Sequence, residues 1–347
     1  IYTGEDTLSL HDALPIYRAV LGRLWDELEA ARPDCAFLLI THDLEFAASR
    51  PGQKFVLRSY VPDEGWEFEE VPEDTGFSEE ITTLILGSRR PILFVEGTVT
   101  SLDVAIYRAC YPDWTVIPNG SCENVVHAVV SMRRNQALTR VTCSGIVDAD
   151  DYSDDDKARL SDLGIAILPV AEIENLVLVP TISSAILEDE QFAGLELENR
   201  LKQLKREVFE EAGKESAING VVLRHCRRRI DRTLKKIDLS HAMTPDALAA
   251  SYASKTAALD VTLLADSTRK RLLAAIDGDD LMNLLRIFDH KGTLLAIAAK
   301  GLKNTRVEVF TSWLTRAMRN PESTRLKHAL AEVLTTAAAG GAFTARM

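Results

Sequence analysis

Two spacings of apolar residues alternate along the middle of the chain, and their order predicts an α/β protein. Short apolar runs that suit buried strands are separated by segments whose apolar residues recur at the spacing of one amphipathic helix. Strands that are separated by single helices form a parallel sheet with helices on both faces. The strands are predicted at residues 91–95, 114–118, 141–148 and 165–170, and the helices at 101–110, 121–134 and 155–163.

Different patterns precede and follow this region. The segment YRAVLGRLWDELEAARPD has helical apolar spacing, and the apolar run CAFLLITHD after it predicts a buried strand. The short runs KFVLRSYV and WEFEEVP then predict a hairpin, and SEEITTLILGSRRP predicts a short helix. Beyond residue 184 the apolar spacing is helical, which predicts a mostly helical C-terminal region.

Length and composition suggest how the chain is divided. With 347 residues, of which 46% are apolar, the chain can bury more than one domain core. Residues 1–16 include DTLSLHDALPI, which resembles a translated sequencing-adapter peptide, so we expect an artefact there, with a native loop as the alternative. The other segments are predicted at residues 17–75, 76–183 and 184–347.

Charge and cysteine content restrict the classes of partner. The formal net charge of −12 repels nucleic acid at long range, so any such contact requires a local basic patch or metal ions bound by carboxylates. The five cysteines are widely spaced without a CxxC pair, which disfavours a disulfide framework or structural zinc and predicts a cytoplasmic protein. No apolar run reaches the roughly 20 residues that cross a bilayer, so we expect no membrane partner.

Acidic residues stand where two of the predicted strands end. Glu96 comes directly after residues 91–95 and precedes Gly97, and Asp148 and Asp150 close the third strand. Because parallel strands bring their carboxyl ends to one edge of the sheet, we expect these three carboxylates to converge. Such a group repels itself unless cations neutralise it, and an all-oxygen ligand set favours Mg²⁺ or Mn²⁺ over zinc.

The order strand-Glu-Gly, helix, strand, helix, strand-Asp-x-Asp resembles the TOPRIM domain of topoisomerases, bacterial primases and overcoming-lysogenization-defect nucleases. Over residues 76 to about 300 the chain more closely resembles the TOPRIM-like family known as domain of unknown function 4435. That family often follows or accompanies an ABC-type ATPase, as in the PARIS anti-phage defence system. The motifs that carry the resemblance are LGSRRPILFVEG, SLDVAIY, VIPNGSCENVV, GIVDADD, LPVAEIENL and DHKGTLLAIAAK.

The resemblance implies roles for individual acids. Glu96 would be a metal ligand or general base, and Asp148 and Asp150 would be metal ligands. The third-strand motif here is Asp-x-Asp-Asp, so Asp151 is an alternative second ligand. A second tier comprises Asp103, Glu172 and Glu174.

The second-tier acids and the acidic loop have other interpretations. Asp103 stands seven residues after Glu96, whereas primase-type TOPRIM enzymes have Glu-Gly-x-x-Asp. Residues 148–156 could be a solvated loop that caps the next helix. Glu174 and the neighbouring Asn175 could simply hydrogen-bond loop backbone.

The upstream helix and the Thr41-His42 pair resemble the last part of an ABC-type (AAA-related) ATPase domain, in which His42 would be the remnant of the switch that contacts the γ-phosphate. The alternative is a polar strand-end histidine without a ligand. The chain has no GxxxxGK[ST] phosphate loop, so we expect no ATP hydrolysis from it. ATP would bind only to a full-length parent, and the ATPase partner would act in cis or in trans.

One concentrated basic stretch, VVLRHCRRRIDRTLKKIDL, lies in the C-terminal region of this acidic chain. Its cations are candidates for contacts with the phosphates that flank a scissile bond. The alternatives are a solvated helix face and salt bridges to acidic loops. The residues predicted to bind nucleic acid are Arg224, Arg227, Arg228, Arg232 and Lys235.

Taken with the resemblance, these features predict a magnesium-dependent, TOPRIM-like nuclease that hydrolyses phosphodiester bonds in DNA or tRNA. It would act with an ABC-type ATPase in anti-phage defence, as an oligomer in the cytoplasm. Two alternatives stay open: a non-catalytic regulatory or assembly module of an ATPase, and an ATP-hydrolysing protein in its full-length form.

Overall fold

The computed structural model describes residues 10–62, 65–71, 79–88, 90–134, 141–149, 152–257 and 259–338. These residues form an α/β protein with fifteen α-helices, a four-stranded parallel sheet flanked by helices, and a helical C-terminal region, which confirms the predicted fold class. The chain divides into two compact units: residues 1–145 with 319–321, and residues 146–318 with 322–347. Among the described helices, none combines the length and apolar composition that crossing a bilayer requires.

The first unit contains the N-terminal helices, a hairpin and two strands of the parallel sheet. Its elements are α1 (Leu10–Ala31), α2 (Leu44–Ser49), β1 (Phe55–Val61), β2 (Gly65–Glu70), α3 (Glu79–Gly87), β3 (Ile92–Val95), α4 (Leu102–Cys110), β4 (Thr115–Pro118) and α5 (Cys122–Arg134). The predicted hairpin is confirmed, with β1 and β2 antiparallel and Val61 opposite Gly65 next to the turn.

The strand predicted at CAFLLITHD is wrong. Residues 36–40 carry no strand pairing, and the side chains of Leu38 and Ile40 are 84% and 85% exposed. An apolar run becomes a strand only when a neighbouring strand satisfies its backbone groups. Among the described residues, both sheets are built from β1 to β6, so this run has no neighbouring strand.

Strand β3 is the best-buried strand, as its uninterrupted apolar sequence predicts. All four of its side chains are 0% exposed. It pairs in parallel with β4, from Ile92 opposite Thr115 to Val95 opposite Pro118. Helix α4 lies against β4 and buries Leu102 and Ile106, which are about one helical turn apart.

The sheet continues through β5 (Cys143–Val147) to β6 (Ile165–Ile167), in the order β4-β3-β5-β6. The predicted strands therefore exist, although the third and fourth are shorter than predicted. The boundary between the two units falls within β5, after Gly145. Just after β6, the Leu168 amide donates to the Val147 carbonyl at 2.9 Å. The next residue, Pro169, has no amide hydrogen, so the pairing between the two strands stops there.

The rest of the second unit is helical, which confirms the helical C-terminal region predicted beyond residue 184. Its elements are α6 (Asp154–Asp162), a 3₁₀ helix (Ile173–Leu178), α7 (Pro180–Asp189), α8 (Gly194–Ala212), α9 (Glu215–Lys235), α10 (Pro245–Thr256), α11 (Val261–Asp277), α12 (Leu281–Ile287), α13 (Lys291–Lys303), α14 (Val307–Arg319) and α15 (Thr324–Ala338). Its core includes Ile182, Leu284, Phe288, Leu294 and Phe310, all of which are 0% exposed.

Candidate functional site

The turn after β3 is built from two glycines. The Gly97 amide donates to the Gly120 carbonyl at 2.8 Å, and the Gly120 amide donates back to the Gly97 carbonyl at 3.0 Å. Both residues have positive φ, +91° at Gly97 and +72° at Gly120, a conformation that favours glycine. The glycines of the Glu-Gly and Pro-Asn-Gly segments therefore join the loops at the carboxyl ends of β3 and β4, and Glu96 directly precedes this junction.

Asp103 lies beside the Glu-Gly turn despite its distance along the sequence. A Cβ atom built on Gly97 would stand 3.3 Å from Asp103 Oδ2 and 2.4 Å from Ser101 Oγ. Ser101 is the N-cap residue of α4, which places Asp103 in the first turn of that helix, where the helix dipole stabilises a carboxylate. The structure thus brings one second-tier acid close to the residue that follows Glu96.

Of the three acids predicted after β5, the structure describes only Asp148. Asp148 directly follows five buried residues of β5 and is half-buried. Asp150 and Asp151 lie outside the described residues. Within the described ranges, no group of three His, Cys, Asp or Glu side chains is arranged to hold a metal ion. The predicted ligand set includes acids from outside those ranges, so its assembly stays a prediction.

The later part of the acidic loop caps helix α6. Ser153 Oγ accepts the Asp156 amide hydrogen at 3.2 Å and donates to Asp156 Oδ2 at 2.7 Å. Asp154, Asp155 and Asp156 all fall in the first helical turn, where negative charge is favourable. For residues 153–156, the capping interpretation that the sequence left open is therefore confirmed.

Asp156 also binds the basic helix α9. Lys236 Nζ donates to Asp156 Oδ1 at 2.5 Å, and Arg229 Nη1 lies 3.8 Å from Asp156 Oδ2. Burial raises the pKa of Asp156, but the hydrogen bonds from Lys236 and Ser153 outweigh it and lower the pKa to about 2. Nearby, the Arg232 guanidinium lies 4.2 Å from the centre of the Tyr152 ring, a cation–π contact.

Two of the predicted nucleic-acid ligands bind a buried carboxylate, and their contact with nucleic acid stays a prediction. Arg224 donates to Asp289 Oδ1 from Nε at 3.1 Å and from Nη2 at 2.9 Å, and Arg228 Nη1 donates to Asp289 Oδ2 at 2.6 Å. Asp289 is only 7% exposed, so its charge requires these partners. For Arg224 and Arg228 the salt-bridge interpretation is therefore confirmed, whereas Arg227 and Lys235 are exposed.

Glu172 and Glu174 flank the start of the 3₁₀ helix and are half-buried. The neighbouring Asn175 is 0% exposed, and its side-chain amide donates to the carbonyls of Leu285 at 3.1 Å and Phe288 at 3.0 Å. Asn175 therefore fastens the loop after β6 to the end of α12.

Sequence reasoning missed the structural role of Asp289. The signal was its place within the motif DHKGTLLAIAAK, next to the fully buried Phe288. A buried carboxylate needs a cationic partner elsewhere in the chain. That partner could not be chosen from sequence, because several arginines in α9 were equally available.

His42, the predicted nucleotide switch remnant, is exposed. Its neighbours have structural roles: Thr41 Oγ1 accepts the Asp43 amide hydrogen at 3.0 Å, and Asp43 caps α2 by accepting the Phe46 amide at 3.0 Å. Asp43 also accepts a hydrogen bond from Arg18 Nε at 2.6 Å. The Thr-His-Asp segment thus begins α2, and contact of His42 with a nucleotide stays a prediction.

Comparisons with protein-family models, curated proteins and solved structures found no match to this chain.

Proposed function

We propose that this chain is a magnesium-dependent, TOPRIM-like nuclease that hydrolyses phosphodiester bonds. The observation that carries the proposal is Glu96 at the end of the fully buried strand β3, joined to a two-glycine turn with the Asp103 carboxylate beside it. Buried apolar strands seldom end on an acid for structural reasons alone. The position of Asp148 directly after the buried strand β5 supports adding it, and the resemblance adds Asp150, with Asp151 as the alternative to Asp150.

The donor groups suit Mg²⁺ or Mn²⁺. Carboxylate oxygens are the preferred protein ligands of both ions, and a side chain at position 97 would collide with Ser101 Oγ, so glycine keeps the turn compact next to Glu96 and Asp103. A bound ion would lower the pKa of its water and stabilise the leaving oxygen. Glu96, Asp148 and Asp150 would hold the ion, with Asp103, Glu172 and Glu174 as further carboxylates.

The protein's own contribution to the chemistry would be proton transfer and substrate binding. Glu96 would accept the proton of the attacking water through a carboxylate oxygen. The exposed cations Arg227 and Lys235 of α9, together with Arg232, would bind the phosphates of DNA or tRNA. These local contacts are needed because the chain as a whole carries a formal net charge of −12.

An ABC-type ATPase, in cis or in trans, is the proposed partner in an anti-phage defence system, and only such a full-length parent would bind ATP. Support comes from residues 36–40, where Leu38 and Ile40 are exposed although the apolar run is typical of a buried parallel strand. A partner that packed against this run would cover these side chains. We also propose an oligomer, because α10 buries none of its residues in the second unit and exposes Leu248 and Tyr252.

We propose a cytoplasmic location. All five cysteines lie in described segments and none forms a disulfide. Free thiols of this number suit a reducing compartment.

The test is cleavage of plasmid, single-stranded DNA and tRNA by the full chain with Mg²⁺ or Mn²⁺. Glu96→Gln should abolish cleavage, while Glu198→Gln, the same change at an exposed residue of α8, should leave it unchanged. Equal cleavage by all three proteins would contradict the role of Glu96. If none of them cleaves, calorimetric titration with Mn²⁺ distinguishes a metal site that lacks its activating partner from a regulatory module without one.

A further inference from the structure

The C-terminal half of α9 is covered by the segment that follows the predicted metal ligands. We define the basic surface as Arg229, Arg232 and Lys236, and the acidic segment as residues 152–156. Lys236 Nζ and Asp156 Oδ1 are 2.5 Å apart, Arg229 Nη1 and Asp156 Oδ2 are 3.8 Å apart, and Arg232 lies 4.2 Å from the Tyr152 ring centre. Every cation of the basic surface thus contacts the acidic segment.

The acidic segment presents to the basic surface two kinds of group that a nucleotide also carries, an anion and a ring. A carboxylate between a lysine and an arginine, with a charge-assisted N–H···O bond from the lysine, places negative charge where a backbone phosphate would place it. An aromatic ring against an arginine guanidinium is the usual arrangement around an unstacked base. Asp156 supplies the first group and Tyr152 supplies the second, four residues apart on one segment.

We propose that the acidic segment occupies the phosphate-binding positions of the basic surface, and that the phosphodiester backbone of a nucleic acid displaces it. The inference rests on the proposed function, because the ligand of α9 is taken from it. The segment begins at the residue after Asp151, so its displacement would also release the chain next to two of the predicted metal ligands. Substrate binding would in this way be coupled to the loop that carries them.

The exposure of the ion pairs supports a displaceable contact. The Lys236 side chain is 57% exposed and the Asp156 side chain 15%, so water and salt compete for the lysine charge, and such a partly exposed pair contributes little to stability. The Asp289 side chain, in contrast, is 5% exposed, so its pairs with Arg224 and Arg228 are expected to persist. Helix α9 therefore has one fixed half and one half that an external anion can reach.

The experiment measures binding of labelled single-stranded DNA and RNA 20-mers of one sequence to the full chain in EDTA, over a series of salt concentrations. Asp156→Asn frees Lys236 while it preserves the Ser153 cap. The matched control is Asp154→Asn, which changes the net charge equally but removes an acid whose side chain is 98% exposed and pairs with Lys157. EDTA suppresses metal-dependent cleavage, so the result does not depend on whether Glu96 is catalytic.

We expect Asp156→Asn to tighten binding about fivefold at 0.1 M salt and to steepen the slope of log K against log salt by about 0.7, the value for one freed cation on a single strand. The double variant Asp156→Asn/Lys236→Gln should lose this gain. Equal effects of Asp154→Asn and Asp156→Asn would overturn the proposal, because the gain would then be one of net charge. Absence of binding by both wild type and Asp156→Asn would also overturn it. Comparison of the DNA and RNA arms identifies which backbone the surface prefers.

Discussion

Gly97 and Gly120 hold the loops after β3 and β4 together by donating to each other's carbonyl oxygens at 2.8 and 3.0 Å. Both glycines have positive φ, so this junction depends on residues without a Cβ atom. Since Glu96 directly precedes Gly97, the position of the proposed catalytic carboxylate depends on the same junction.

Gly97→Ala should therefore reduce both stability and activity. The new Cβ would stand 2.4 Å from Ser101 Oγ in a conformation that costs a non-glycine residue about 1–2 kcal/mol. We expect a loss of about 2 kcal/mol in the free energy of unfolding in urea. Gly292→Ala is the control, since a Cβ there meets nothing within 4 Å in helix α13; an equal loss in both variants would contradict the explanation.

Asp289→Asn should destabilise the second unit. The change leaves the guanidinium groups of Arg224 and Arg228 without their buried carboxylate, and loss of one partner from a buried pair costs roughly 3 kcal/mol. Chemical denaturation measures the effect. Asp279→Asn removes an exposed partner of Lys205 and should cost less than about 1 kcal/mol, so similar losses in the two variants would refute the buried role of Asp289.

Asn175→Asp should destabilise the protein strongly, although the two side chains have almost the same size. The Asn175 amide donates to two carbonyl oxygens, and a carboxylate would replace both donors with acceptors in a fully buried position. A loss of about 3 kcal/mol or more is expected by thermal or urea unfolding. Asn219→Asp, at an exposed position of α9, is the comparison; a small effect at position 175 would mean that the loop after β6 is held by other contacts.

The ion pair of Asp156 predicts a specific pH dependence. Its pKa in the folded protein, about 2, lies below the unfolded value near 3.9, so its stabilisation is fully present above about pH 4 and is lost as the pH falls through 2. Wild type and Asp156→Asn should differ in unfolding free energy by at most about 1 kcal/mol, because the pair is partly exposed. This difference should be constant from pH 5 to 7 and should shrink below pH 4. A carboxyl titration by NMR with a midpoint near 4 would contradict the pairing.

Much of the sheet could be predicted from the sequence. The apolar runs at 91–95 and 114–118 became β3 and β4 with ends displaced by one residue, and the runs at 141–148 and 165–170 became the shorter strands β5 and β6. The period of apolar residues is a local property, since it states which side chains can face a core, and it needs no knowledge of what that core contains. Glu96 and Asp148 were located at strand ends for the same reason.

Partners that are distant in sequence could not be predicted in this way. The sequence displayed five predicted nucleic-acid ligands on one helix, and only the tertiary structure assigned Arg224 and Arg228 to Asp289, more than sixty residues away. It likewise placed the Asp103 carboxylate beside Gly97, against the expectation from its spacing.

The sequence by itself determined the α/β class, the positions of the parallel strands, the acids that end them and the helical C-terminal region. The tertiary structure alone decided that residues 36–40 are not a strand, and that Asp156 and Asp289 pair with different cations of the basic stretch. The physical reason is that secondary structure follows the local apolar period, whereas strand pairing and charge pairing depend on which distant groups folding brings within hydrogen-bond distance.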